Sequence, residues 1–318
     1  MLNSKRDEPV RYGGQAVMEG VMMRGRSMYA MAVRRPDGEI EMVEKTFSPA
    51  SKKYPILKLP IIRGVAAFVE SLATGIKTMT KSAEIAVGDL SEEEPNSKFE
   101  KFLTDKFGEK LNGYIMNAGV VIAFVIAIGL FMLLPAWIGS FITPLIGGNS
   151  SLTGIFEGLI RVAIFVGYIF LISRSKDIRR VFAYHGAEHK TINCFEAGAE
   201  LTSENVAAHS RFHKRCGTSF LLVVMLISML VFLLVRTDNV LLRFGSRIAL
   251  LPVIAGLAYE ISVKWAGRRD NALVRAVIFP GMCLQRLTTA EPDEKQIETA
   301  VAALAAVLEK EQPEHSES

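Results

Sequence analysis

The chain has 318 residues, half of them hydrophobic, with a mean hydropathy of +0.26 and a formal net charge of +4. This composition is atypical of a fully soluble protein and typical of a membrane protein with soluble parts. So small a positive charge gives no indication of a nucleic-acid partner, and three cysteines do not make a disulfide framework. The first 30 residues lack the apolar region of a secretory signal.

The chain begins with a segment that is predicted to be cytoplasmic and to contain a β-hairpin. Residues 29–33 and 39–43 are expected to pair across the turn Pro36-Asp37-Gly38, and the second arm alternates polar and apolar residues. A Gly- and Met-rich segment at 13–25 precedes them and matches no phosphate-binding pattern. Tight turns leading into the hairpin are its expected structure, and a role in lining a site is the alternative.

A helix is predicted from Pro60 to about Val87, because apolar residues recur there at helical spacing. Its single apolar face is expected either on the membrane surface or against a helical bundle. Basic residues nearby, Arg24, Arg26 and Arg63, are candidates for contact with lipid phosphates. Residues 91–98 are interpreted as a linker.

Four apolar stretches then approach the ~20 residues needed to cross the hydrocarbon core of a bilayer. They run from about Tyr114 to Trp137, Gly154 to Ser173, Ser219 to Val235 and Ile248 to Trp265. The predicted fold is therefore mainly α, a polytopic membrane protein with about four transmembrane helices and a small cytoplasmic α+β part. Its expected divisions are 1–110, 111–173 (first two helices), 174–217 (histidine-rich helical hairpin), 218–266 (last two helices) and 267–318.

The distribution of lysine and arginine predicts the orientation of these helices. Residues 174–216 carry eight basic residues, whereas residues 136–153 carry no charge. Both termini and the histidine-rich segment are therefore expected in the cytoplasm. One loop disagrees, since the predicted outer segment from Arg236 to Arg247 contains three arginines. It is expected to lie at the headgroups or to fold back.

Two further elements are predicted after the fourth stretch. Leu273 to Leu287 is apolar but too short to span, and Pro280-Gly281 is expected to interrupt it, which favours an interfacial or re-entrant segment. Asp293 and Gln296 are typical of a helix start, and the residues that follow carry one apolar stripe. The tail from Glu309 is polar.

The strongest functional signal is a cluster of histidines between the second and third stretches. Four of the five histidines fall within 29 residues, as the pairs His185/His189 and His209/His213. Residues four apart share one face of a helix. Each pair is therefore expected on its own helix, capped at Thr202 or Ser203 in the second case, and a turn at 198–202 is expected to bring the two pairs together.

These residues predict a divalent metal site, with zinc as the expected ion. The four histidines form the candidate ligand set and Cys216 is an additional candidate. Cys194 is a poorer one, because its spacing from His189 gives a less suitable angle. Glu188 completes the pattern H-x-x-E-H and is the candidate catalytic residue, as a general base acting on metal-bound water. The alternative is a structural zinc that clamps the two helices.

Charged pairs within the apolar stretches are weaker candidates. Glu157/Arg161 and Glu260/Lys264 are each spaced four apart, so each acid has a nearby basic partner. Local neutralisation is the expected role of both pairs, with transport or catalysis as the alternative.

Three motifs together resemble the YqhQ-like family of bacterial membrane proteins: Gly13 to Gly25, His185 to Thr191 and His209 to Phe220. The resemblance extends over essentially the whole chain. It implies a multi-pass membrane protein described as a predicted metal-dependent enzyme, without naming a substrate.

The sequence thus predicts a membrane metalloenzyme, of hydrolase type, that acts on a membrane-proximal or lipid-linked substrate. The lipid bilayer is the expected partner, and a homo-oligomer is an open alternative. The competing hypothesis is a non-enzymatic channel, transporter or scaffold with a structural zinc. A closed four-ligand site favours that hypothesis, whereas an open site beside a pocket favours the enzyme.

Overall fold

The computed structural model describes residues 12–88, 111–234, 240–266 and 271–311. Within these ranges, the side chains of residues 111–117, 150, 240, 241, 243 and 244 are not described. The predicted linker at 91–98, the basic segment before the first span, part of the Arg236 loop and the end of the polar tail lie outside the described residues.

The described chain begins with a four-stranded antiparallel sheet in the order β1-β2-β3-β4. The strands are β1 (Gly13–Val17), β2 (Gly20–Arg24), β3 (Met28–Arg34) and β4 (Ile40–Thr46). The predicted hairpin is confirmed as β3 and β4, and Gly38 adopts a positive φ of 94° in the turn between them. The Gly- and Met-rich segment forms a second hairpin, β1 and β2, instead of turns alone.

Two short helical segments, α1 (Ala50–Lys53) and a 3-10 turn (Pro55–Lys58), lead into α2 (Ile62–Val87). The long helix predicted from Pro60 to Val87 is therefore confirmed. Its inner face, represented by Ile85, packs against apolar residues of the sheet such as Met31 and Val33.

Among the described residues, four helices are long and apolar enough to cross a membrane. Their candidate spans are Ala118–Leu145, Ser151–Ile172, Gly217–Leu234 and Gly245–Trp265, close to the four predicted stretches. The helices are α3 (Leu111–Ile128) and α4 (Leu134–Leu145) joined by a π-helical turn, α5 (Ser150–Ile172), α8 (Gly217–Leu234), and α9 (Val240–Tyr259) with a π-helical end, Glu260–Trp265.

The histidine-rich segment contains α6 (Lys176–Glu196) and the short helix α7 (Ser203–Ala208). The predicted turn is present, with Gly198 at a φ of 72°. Thr202 caps α7 by accepting a hydrogen bond from the backbone N–H of Asn205, as predicted.

Two helices follow the last span, α10 (Ala272–Thr288) and α11 (Glu294–Glu311). The expectation that Pro280-Gly281 interrupts this segment is wrong, because α10 continues through Pro280. Gly281 beside it lies against Ser219, where a Cβ would be only 2.6 Å from the serine Cβ, so tertiary packing holds this part of the helix in place. The predicted start of α11 is confirmed by reciprocal hydrogen bonds between Asp293 and Gln296.

The chain folds into two compact units, one comprising 1–88, 169–224 and 250–318 and the other 89–168 and 225–249. The core of the first unit lies between the sheet, α6 and α11. Its largest fully buried side chains include Val21 and Met23 from β2, Tyr184 and Ile192 from α6, and Leu304 and Val307 from α11. This packing fixes α6, the helix that carries the first histidine pair, against β1 and β2.

Candidate metal centre

Helix α6 carries His185 and His189 one turn apart on the same face, and their ring centroids are 4.3 Å apart. The helix is held closely by the segment after α10. A Cβ at Gly186 would lie 2.1 Å from the Ala290 carbonyl oxygen, so glycine allows this close approach. The Ala290 N–H donates to the Phe182 carbonyl, which fixes the same contact.

The hydrogen bonds of the two imidazoles define which ring nitrogen is available. His185 Nδ1 lies 2.8 Å from the Thr288 carbonyl oxygen, and His189 Nδ1 lies 2.7 Å from that of Arg211. A carbonyl oxygen only accepts, so each Nδ1 carries the hydrogen and, in a neutral ring, each Nε2 presents a lone pair. Backbone carbonyls commonly orient metal-binding histidines in this way.

Both Nε2 atoms face the thiol of Cys216, the residue immediately before α8. His185 Nε2 is 3.3 Å from Cys216 Sγ, and His189 is also hydrogen-bonded to this thiol. The donor atoms of His185, His189 and Cys216 all lie within 4.8 Å of one another, which defines the His/His/Cys cluster. Two donors at 2.0–2.3 Å from one tetrahedral zinc ion would be roughly 3.5 Å apart, close to the 3.3 Å that separates His185 Nε2 from Cys216 Sγ.

Burial favours the form of His189 that binds a metal. The side chain is 1% exposed, and burial lowers the pKa of its imidazole, against the opposing effect of the Cys216 hydrogen bond. Burial therefore favours the neutral ring, which is the state in which an imidazole nitrogen can act as a ligand.

Glu188 lies beside the cluster on the same helix and is 5% exposed. Burial raises the pKa of its carboxyl group, while His185, His213 and a hydrogen bond from the Gly14 backbone N–H oppose this effect. A Cβ at Gly14 would be 2.9 Å from both Cγ and Cδ of Glu188. The absence of a side chain at Gly14 therefore gives β1 direct access to this carboxyl group.

His213 is brought next to the cluster, with its ring centroid 5.6 Å from that of His189. Its Nε2 is 3.5 Å from Glu196 Oε2, and the Glu196 carboxylate also pairs with Arg215. These two hydrogen-bond donors, His213 first, lower the pKa of Glu196 to about 2. His213 Nε2 therefore faces a carboxylate, whereas the imidazoles of His185 and His189 face the Cys216 thiol.

His209 is placed differently from the other three histidines. Its Nδ1 bonds to the Asn205 carbonyl within its own turn, 2.7 Å away, and it is not part of the His/His/Cys cluster. The expectation that His209 and His213 share one helix is wrong, because α7 ends at Ala208 and the chain is extended at His209, with ψ at 161°.

Side chains from neighbouring helices explain why α7 ends there. Lys190 binds the Ala207 carbonyl, and Asn193 binds the carbonyls of Ser210 and Phe212. Gln285 holds the His213 peptide on both sides, accepting from its N–H at 2.9 Å and donating to its C=O at 2.8 Å. These tertiary hydrogen bonds replace the helical ones that residues 209–213 would otherwise make.

A cavity of about 670 Å³ adjoins the cluster. Its polar lining includes His185, Glu188, His189, His213 and Cys216. The rest of the wall includes Gly13 to Ala16 of the sheet, Ser71 of α2, and apolar residues of the candidate spans and α10, among them Phe220, Leu221, Val223, Val263 and Ile278. The cluster is therefore open to a space with one polar and one apolar side.

Little in the sequence indicated that several other residues contribute to this site. Gly14 lay in a segment that the sequence assigned mainly to turns, and Gln285 was one polar residue in an apolar stretch. Thr288 and Arg211 orient the imidazoles through main-chain carbonyls, which any residue could supply. The position of these carbonyls depends on the tertiary fold alone.

The remaining candidates lie elsewhere. Cys194 is buried, and its thiol contacts the carbonyls of Ala199 and Glu200.

The charged candidates each have partners of their own. Glu157 pairs with Arg247, while Arg161 donates to the Phe131 carbonyl and contacts Ser228. Glu260 forms a two-pronged ion pair with Arg63, and Arg24 lies over the Phe47 ring.

Comparisons with known proteins agree on one relationship. A family model described as a protein of unknown function (DUF1385) matches residues 59–310. The chain is 38% identical over 306 residues to "Uncharacterized protein YqhQ" of Bacillus subtilis (strain 168), which covers 96% of this chain and 94% of that protein. No solved structure matches the chain. The family match includes every histidine, cysteine and glutamate of the site just described.

Proposed function

The chain belongs to the DUF1385 family of proteins of unknown function, and we propose from its own site that it is a metal-dependent membrane enzyme. The proposed ion is zinc, and the proposed reaction is hydrolysis of a membrane-proximal or lipid-linked substrate. The observation that carries this proposal is the cavity shared by the His/His/Cys cluster and Glu188.

The donor set supports zinc as the ion. Two imidazole nitrogens and one thiolate are ligands that zinc prefers, and both imidazoles are fixed by backbone carbonyls. Three protein donors leave a fourth tetrahedral position, which favours an open site over a closed structural one. When bound, the ion would supply a Lewis acid that activates water or polarises a carbonyl or phosphoryl oxygen.

Glu188 is the proposed proton carrier. Burial raises the pKa of its carboxyl group, so the group is better suited to accept and return a proton near neutral pH than an exposed glutamate would be. The Gly14 N–H and the packing of β1 hold the carboxyl group in position. His213, held by Gln285 and 3.5 Å from the Glu196 carboxylate, lines the same cavity.

The proposed substrate class follows from the walls of the cavity. Phe220, Leu221 and Val223 belong to one candidate span and Val263 to another, so the cavity is continuous with apolar helices. Cys216 immediately precedes the span at Gly217–Leu234, so the cluster lies at the end of that helix. A molecule with a polar, hydrolysable group and an apolar chain fits both sides of this cavity.

The proposed location is the cytoplasmic side of a bacterial plasma membrane. In the sequence, the spans Ser151–Ile172 and Gly217–Leu234 flank the segment that carries the cluster. This segment has eight basic residues, an excess typical of cytoplasmic segments. The same distribution favours cytoplasmic placement of both termini.

The test compares Glu188→Gln with Glu200→Gln, an exposed glutamate after α6 that serves as the matched control. Lipid extracts are compared between a strain lacking the chain and strains expressing each variant at equal level. We expect the lipid-linked species that accumulates in the deletion strain to disappear with wild type and Glu200→Gln and to persist with Glu188→Gln. Purified Glu188→Gln protein should keep its zinc, because Glu188 is not one of the three proposed ligands.

Normal clearance of that species by Glu188→Gln would overturn the enzymatic proposal. A structural zinc predicts that result whenever metal content and protein level are normal.

A further inference from the structure

Helix α2 exposes a continuous apolar stripe. Val69 and Leu72 are 57% and 54% exposed, and Ile62, Ile76 and Val87 continue the stripe at helical spacing. The opposite face carries the buried residues of the helix, among them Ser82 and Ile85, and packs on the sheet. An outward apolar stripe of this length indicates a surface that contacts something other than water.

The stripe is extended by the segment before the helix. Tyr54, Ile56 and Leu59 are each more than half exposed, and they lie in or beside the 3-10 turn that precedes α2. The exposed apolar surface therefore begins near residue 54 and continues for the whole length of α2.

The first turns of α2 are joined to two candidate membrane spans near their ends. A Cβ at Gly64 would lie 2.7 Å from Tyr259 Cβ, and Arg63 pairs with Glu260 at the end of the last span. The Phe68 ring lies 6.2 Å from that of Phe220, the fourth residue of another span. Where those helices cross a bilayer, α2 starts at its surface.

The charged residues beside the stripe are mainly basic. Residues 52–87 contain six basic and two acidic residues. Glu84 is paired with Lys81, Glu70 lies near Arg24 and accepts the Ala50 N–H, and Arg63 is paired with Glu260. The basic excess therefore comes from Lys52, Lys53, Lys58 and Lys77. An apolar stripe flanked by basic residues is typical of helices that lie in the interface of an anionic bilayer. A second copy of the same surface would bring like charges together.

We propose that α2 and residues 54–59 lie in the membrane plane, with the apolar stripe inserted at the boundary between headgroups and acyl chains of anionic lipids. This docking surface does not depend on the proposed enzymatic activity. The docking has one consequence for the cavity. Ser71 of α2 lines the cavity, so the helix that forms this wall would itself lie on the lipid surface.

The test measures contact between the stripe and lipid in the full chain. The chain has two tryptophans, Trp137 and Trp265, which are replaced by phenylalanine. Single tryptophans are then introduced as Leu72→Trp and Ile76→Trp, with Lys81→Trp as the control on the charged flank of the same helix. The proteins are reconstituted into phosphatidylglycerol-containing vesicles, with and without lipids brominated in the upper acyl chain.

Insertion of the stripe predicts roughly twofold quenching by brominated lipid at positions 72 and 76, and much weaker quenching at 81. A protein that keeps Trp137 serves as the reference for insertion of the first span. Absence of quenching at both stripe positions, with Trp137 quenched, would overturn the proposal, and so would intermolecular cross-links through the stripe that show a second copy covering it.

A second measurement uses the wild-type chain, so its result cannot be affected by substitutions that disturb folding. A phosphatidylglycerol with a photoreactive group near the headgroup is cross-linked to the reconstituted protein, which is then digested with trypsin. We expect label in the peptide from Gly64 to Lys77, which carries most of the stripe. A peptide from the exposed β3–β4 turn should stay unlabelled, and equal labelling of both would contradict specific docking.

Discussion

The backbone N–H of Gly14 donates a hydrogen bond to the carboxyl group of Glu188, so a residue of the first strand contacts the candidate catalytic residue of α6. Glycine makes this contact possible, because a Cβ at position 14 would be 2.9 Å from two carbon atoms of the Glu188 side chain. The same Cβ would lie 2.8 Å from the Met22 carbonyl oxygen. The N-terminal sheet therefore positions Glu188 as well as forming part of the core.

Gly14→Ala should displace Glu188 without removing a metal ligand. The added methyl group has to move either a paired strand or a buried carboxyl group, which should cost about 1–3 kcal/mol of unfolding free energy. We expect a lower thermal unfolding midpoint and loss of lipid clearance in the complementation assay, with zinc content unchanged.

Gly13→Ala is the matched control for this change. A Cβ at Gly13 meets nothing within 4 Å, so we expect wild-type stability. Equal thermal unfolding midpoints of the two variants would contradict the close contact between Gly14 and Glu188.

Local patterns in the sequence predicted much of this fold. The turn at Pro36-Asp37-Gly38, the cap at Asp293/Gln296 and the four long apolar helices depend on neighbouring residues only, and all are present in the described residues. The end of α7 was missed, because it depends on residues that are distant in sequence: Lys190 binds its last turn, and Asn193 and Gln285 bind the chain beyond it. Local spacing cannot reveal hydrogen bonds made by another helix.

Gln285 is expected to hold the loop that carries His213. Its side chain is fully buried and forms hydrogen bonds with the N–H and C=O of His213 and with Ser219. Gln285→Leu would leave these buried groups without partners, which should cost roughly 2–4 kcal/mol of unfolding free energy. Chemical or thermal unfolding in detergent measures this loss.

Arg286→Leu provides the comparison for that measurement, because Arg286 is the next residue of α10 and is exposed. We expect its effect on stability to be within about 0.5 kcal/mol of zero. If Arg286→Leu lowers the unfolding free energy as much as Gln285→Leu does, the loss reflects any change in α10 and not the hydrogen bonds with His213.

Glu196 should make stability depend on pH in an acidic window. Hydrogen bonds from His213 and Arg215 lower its pKa from 4.5 to about 2. A carboxylate with a lowered folded pKa stabilises the fold above the unfolded pKa and loses that contribution as pH falls from 4.5 to about 2. In chelator-treated protein, the unfolding midpoint of wild type should fall more steeply across this window than that of Glu196→Gln. Parallel curves would show that the ion pair contributes nothing.

The histidines should differ in their effect on metal content. His189→Ala removes a donor of the His/His/Cys cluster and should reduce zinc content at least about tenfold at limiting metal. His209→Ala should retain zinc, since His209 bonds to the carbonyl of Asn205 in its own turn. Loss of zinc in both variants to the same extent would instead support the four-histidine site expected from the sequence.

The most direct test of the proposed metal centre is zinc analysis of the purified full chain together with X-ray absorption at the zinc edge. We predict about one zinc ion per chain, with nitrogen ligands near 2.0–2.1 Å and one sulfur ligand near 2.3 Å. The sulfur signal should be absent in Cys216→Ser, while a Cys194→Ser control keeps it. Protein that holds no stoichiometric zinc after supplementation, or zinc whose spectrum lacks the Cys216 sulfur, would contradict the proposal that His185, His189 and Cys216 bind the ion.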